Sequence, residues 1–98
     1  MTYMDYGLMD ELKEAGFPQE GSGFVYPRSP NVADGYWYQP TLSELIEACG
    51  EGFHYLNRNI QSAGRAWFAG GERVTFDGST PEEAVARLWL ALNKKPEL

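Results

Sequence analysis

The stretch GSTPEEAVARLWLALNKK, Gly78 to Lys95, restricts the fold of this 98-residue chain more than any other. Thr80 is placed to cap a helix that begins at Pro81, where a missing N–H costs nothing, and Glu83 completes a T-x-x-E capping box. Glu82 and Glu83 suit the positive end of the helix dipole, Lys94 and Lys95 suit the negative end, and Pro96 stops the pattern. Val85, Leu88, Trp89 and Leu92 recur at i, i+3, i+4 and i+7, while Ala84 and Ala91 allow close approach to a sheet. An apolar stripe of this width must lie on another layer, so the rest of the chain has to supply a sheet.

The upstream sequence has the pieces. In YGLMDELKEAGFPQ, Leu8, Met9, Leu12 and Ala15 follow helical spacing and Asp10, Glu11, Lys13 and Glu14 face outward. Gly16 is a natural left-handed C′ residue, Phe17 can fold back on the last turn, and Pro18 prevents continuation. GFVYP (23 to 27) and GYWYQP (35 to 40) are β-like runs whose prolines mark strand ends, and RSPNVAD between them predicts a loose hairpin with a protruding tip. Thr41 and Glu44 form another capping box, ahead of a short helix with Leu42, Leu45, Ile46 and Cys49 inward and Gly50 at its end. Three strands are predicted at 53 to 57, 65 to 69 and 72 to 77, with RNIQSAG as the longer loop between the first two. Gly70-Gly71 reads as a two-residue hairpin turn, and Val74 and Phe76 as the buried face of the last strand.

The expected fold class is α+β: helix, β-hairpin, helix, three-stranded antiparallel meander and C-terminal helix, with the antiparallel sheet packed against helices. One domain is expected over 1 to 98, composed of an acidic helix plus hairpin (1 to 40) and an α-β-β-β-α unit (41 to 95). With 43% hydrophobic and 14% aromatic residues the chain can fill a single core.

Several chemistries lack their residues. Cys49 is the only cysteine, so no intramolecular disulfide or multi-cysteine metal site is available, and its place on an apolar stripe reads as a buried thiol. His54 is the only histidine and is expected to be half-buried in a strand; zinc and Ser-His or Cys-His catalysis have no support. No phosphate-binding glycine motif occurs, and no cofactor, metal or catalytic residue is expected. The run Ala84 to Leu92 is broken by Arg87 and is far too short for a bilayer span, and MTYMDYGLMDELKEAG carries acids where a secretory signal carries bases. A cytoplasmic protein is expected.

The net charge of −6 is unevenly placed. Residues 1 to 51 hold nine acids and two bases, whereas residues 52 to 98 hold five acids and six bases. An acidic first half repels nucleic acid and favours a protein partner with a basic surface. The interaction candidates are Asp10, Glu11 and Glu14 of the first helix, Tyr36, Trp37 and Tyr38 of the hairpin, and the 28 to 34 tip; only alternate hairpin aromatics can point outward. Exposed strand edges leave a homodimer open. Two further functions compete. A nucleic-acid or antitoxin-like regulatory module would use Arg58, Arg65, Arg73, Arg87, Lys94 and Lys95, and a small-molecule pocket for a signalling nucleotide would use stacking on Trp37 or Trp67.

From Leu42 onward the α-β-β-β-α order matches that of double-stranded RNA-binding domains, yet Glu82 and Glu83 stand where those domains place lysines, which opposes RNA binding. The G-S-T-P-E-E-A cap is also similar to a segment of small HicB-type antitoxins. Taken together, LKEAGFPQ, YWYQPTLSELIEACG, the Trp67 strand and GSTPEEAVARLWLALNKK resemble a set of small uncharacterised phage and prophage proteins, including the phage ABA sandwich domain group. That resemblance implies a helix/sheet/helix arrangement and a phage setting, and supplies no site residues. The function expected is a non-enzymatic protein-binding module in the bacterial host cytoplasm, acting on a host or phage protein, with inhibition of a defence system, as by an anti-CRISPR protein, its sharpest form.

Overall fold

A computed structural model describes residues 4–27, 35–58 and 67–93. In chain order these form α1 (Tyr6–Glu14), β1 (Phe24–Pro27), β2 (Tyr36–Gln39), α2 (Leu42–Cys49), a 3-10 turn (Gly50–Gly52), β3 (Tyr55–Arg58), β4 (Trp67–Gly70), β5 (Thr75–Gly78) and α3 (Pro81–Asn93). The arrangement is α+β, with a two-stranded antiparallel sheet against α1 and a three-stranded antiparallel sheet against α3. The 28 to 34 tip, Arg65, residues 59 to 64 of the predicted loop, and Lys94, Lys95 and Pro96 lie outside the described residues.

The helix ends obey local chemistry. Asp5 caps α1 by accepting from the Leu8 N–H at 3.3 Å. At the other end Gly16 takes φ 96°, its N–H reaches the Lys13 carbonyl and the Phe17 N–H reaches the Leu12 carbonyl. Those two bonds make a complete Schellman motif, which turns Phe17 inward to meet Trp89 edge to face at 4.9 Å. In α2 the Thr41/Glu44 capping box is closed in both directions. For α3 only half of the predicted box exists. The Glu83 N–H donates to Thr80 Oγ1, but the Glu83 carboxylate turns instead to Arg87, one helical turn on, at 2.6 Å.

α3 is the centre of the molecule. It packs against β4 and β5 on one side and against α1 and α2 on the other. Ala84, Val85, Ala86 and Leu88 are fully buried, and Trp89 nearly so, in one core cluster with Met4, Leu8, Met9, Leu12, Phe17, Leu45, Cys49 and Ala69. Two expectations change here. Ala86 is buried although it lies off the predicted stripe, because two layers enclose the helix, whereas Leu92 is 43% exposed and lies over Gly52. Ala15, expected inward, is the exposed C-cap of α1.

The turn between β4 and β5 also differs from expectation. Gly70 pairs with both Tyr55 and Thr75 inside the sheet, and the connection is Gly71 to Val74, closed by the Gly71 N–H on the Val74 carbonyl at 2.9 Å. Neither Gly70 nor Gly71 has positive φ, so the primed two-residue turn is absent. Gly70 is glycine because the Tyr55 ring lies across it, and the Tyr55 hydroxyl then reaches Thr75 Oγ1 on the far strand at 2.7 Å. The later start of β5 leaves Val74 exposed in the loop, and Leu56, Ala69 and Phe76 form the row facing α3. His54, expected half-buried within a strand, is exposed and precedes β3, with its backbone N–H on the Gly70 carbonyl.

Candidate protein-interaction surface

The hairpin is fixed to α1 by its aromatics. Tyr26 and Trp37 are cross-strand partners, and Tyr6 stacks on Trp37 with centroids 4.2 Å apart while meeting Tyr26 edge to face. One turn further along α1, Asp10 accepts from Trp37 Nε1 at 3.1 Å. Tyr6 and Asp10 therefore grip the indole from its face and its edge. Both Asp10 and Trp37 are half-buried.

Tyr38 is buried at 1% exposure, which removes it from the outward-facing set. Its hydroxyl lies 2.7 and 2.9 Å from the two Glu44 carboxylate oxygens and accepts from the Gly23 N–H. Glu44 also accepts from the Ser22 and Thr41 N–H groups, so one capping carboxylate ties the entry of β1, the end of β2 and the start of α2 together. Burial raises the Tyr38 pKa and the Glu44 hydrogen bond adds to that shift. For Glu44, burial favours the neutral acid, but the Thr41 N–H, Tyr38 hydroxyl and Ser22 N–H outweigh it and hold the carboxyl below its ordinary value. The network explains why a tyrosine expected at the surface is inside. Tyr36, two residues earlier on the same face, is 44% exposed.

Glu11 and Glu14 are exposed on the rim of an open groove of about 660 Å³ between α1 and α3. Ala15, Phe76, Leu90 and Ala91 form its apolar walls, and Arg87 lines it as well. The Arg87 guanidinium is already engaged, with Nη2 on Glu83 and Nη1 donating to the Asp77 carbonyl at 2.7 Å. Neither Glu11 nor Glu14 has a side-chain partner among the described residues. The charge at the mouth is consequently negative and unneutralised, above a floor whose two alanines leave room for an incoming chain.

Some residues named for the competing functions already make contacts within the fold. Trp37 has a face covered by Tyr6, and Trp67 packs on the core with the Arg58 guanidinium 5.8 Å from its ring centroid. Among the described residues no group of three or more His, Cys, Asp and Glu side chains could hold a metal ion, and no helix is long and apolar enough to cross a membrane. Two features escaped sequence reasoning. The groove depends on how α1, β5 and α3 meet, and the Glu44 node depends on residues 22 positions apart. Comparison with protein-family models, curated proteins and solved structures found no match.

Proposed function

We propose that this chain is a non-enzymatic protein-binding module whose α1–α3 groove receives a basic segment of another protein. The observation that carries the reading is the pair of exposed carboxylates, Glu11 and Glu14, which line an apolar-walled groove and have no side-chain partner among the described residues. A lysine or arginine has an aliphatic stem for Leu90 and Phe76 and a charged head for the rim, which matches this division. The acidic first half of the chain would steer such a partner over longer range. With the phage setting that the sequence resemblance implies, the sharpest form of the reading is an inhibitor of a bacterial defence system, such as an anti-CRISPR protein, acting in the host cytoplasm on a basic nucleic-acid-binding surface.

The test is charge reversal. The E11K/E14K double variant should lose capture of a basic nucleic-acid-binding effector and lose protection of phage on a host carrying that defence. E47K, at an exposed position of α2, should keep both. Equal capture by wild type and E11K/E14K, at unchanged thermal midpoint, would sink the assignment to this groove.

A further inference from the structure

A different surface carries a second, independent conclusion. Phe24 and Val25 are neighbours in β1 and so project to opposite faces, yet they are 55% and 57% exposed. Both faces of β1 are therefore bare at these positions. Its only strand partner among the described residues is β2, and β2 is the strand that packs on α1. Among the described residues the outer edge of β1 is left open, in a two-stranded ribbon that α1 supports through β2.

Pro27 closes one end of this short edge, but no charge guards it. Charged side chains commonly guard open edges, and the two outer strands of the three-stranded sheet carry Arg58 and Asp77. None of the eight paired residues of the ribbon is charged. In a chain of net charge −6, two identical copies repel wherever their acids meet, and the ribbon is a place where they approach without juxtaposing carboxylates. A basic partner would find no complementary charge there.

We propose that β1 pairs antiparallel with β1 of a second copy, forming a four-stranded sheet ordered β2-β1-β1-β2 across a two-fold axis. Antiparallel self-pairing is isologous, so it closes as a dimer and does not propagate. Donor supply locates its centre. Pro27 has no N–H and the Gly23 N–H already donates to Tyr38, so the symmetric midpoint falls on Val25. Val25 then faces Val25 of the second copy, and Phe24 of each copy lies opposite Tyr26 of the other. The area is small, which makes this a weak, concentration-dependent dimer.

Sedimentation velocity over a concentration series tests it. Wild type is expected to show reversible dimerisation, and V25K to raise the dissociation constant at least about tenfold by opposing two ammonium groups. Directly paired strand residues lie at a Cα separation compatible with a disulfide, so V25C should oxidise to a cross-linked dimer while E47C, exposed on α2, should not. The cross-link remains informative if V25K folds poorly, and far-ultraviolet circular dichroism reports that. A wild-type chain that stays monomeric at about 1 mM, or V25C that cross-links no faster than E47C, overturns the proposal.

Discussion

Gly70→Ala should destabilise the protein by about 1 to 2 kcal/mol, and the same substitution should become stabilising when Tyr55 is alanine. Gly70 has no positive φ, so its backbone conformation suits any L-residue, and on that ground alone alanine is favoured by about 0.5 to 1 kcal/mol. Against this, an alanine Cβ would occupy the space of the Tyr55 ring, contacting Cζ, Cε1 and Oη. Tyr55 is 38% exposed and can swing outward, but doing so breaks its bond to Thr75, a loss of roughly 0.5 to 1.5 kcal/mol. It also uncovers on the order of 60 Å² of ring surface, roughly 1.5 kcal/mol. The opposing contributions leave the net cost stated. Without the ring only the backbone preference remains, so the coupling between the two sites should be about 2 to 3 kcal/mol. Urea unfolding followed by circular dichroism on wild type, G70A, Y55A and G70A/Y55A gives the cycle directly. If G70A costs as much in the Y55A background as in wild type, the ring is not the reason for glycine.

Two further outcomes follow from titratable groups, the half-buried Glu44 and the buried Cys49. Glu44→Gln should cost about 1 to 2 kcal/mol at neutral pH. Because the folded-state pKa of Glu44 lies below the ordinary 4.5, its contribution is present above that pH and lost as pH falls through the lower folded value; urea midpoints of wild type and E44Q should converge in that acidic range. Cys49 is buried, which pushes its thiol up to about 11, so a disulfide-exchange reagent at pH 8 should label the native protein far more slowly than the urea-unfolded chain, and rapid stoichiometric labelling of the native state would contradict its burial.

Much of the architecture could be read from residues acting within one turn of the chain. Thr41 with Glu44, Thr80 with Pro81, and Gly16 with Phe17 each settle an element boundary through local hydrogen bonds, and all three boundaries are found where those residues place them. The misreadings share a physical origin in contacts distant in sequence. Gly70-Gly71 has the composition of a tight turn, but Tyr55, 15 positions earlier, claims Gly70 for the sheet and shifts the loop onward. Tyr38 has the composition of an exposed strand aromatic, and Glu44 and Gly23 enclose its hydroxyl. The acids Glu11 and Glu14 were visible as an outward helix face, whereas the apolar walls beneath them come from β5 and α3 and required the tertiary structure.

The position of α3 bears on how this chain emerges during synthesis. The segment that fills the centre of the core follows every other described element in sequence, so an emerging chain that still lacks α3 leaves the inner faces of α1, α2 and β4 without their main cover. Vectorial folding from the first residue onward therefore has no stable stopping point, and the transition to a packed core waits for Val85, Leu88 and Trp89 to clear the ribosome.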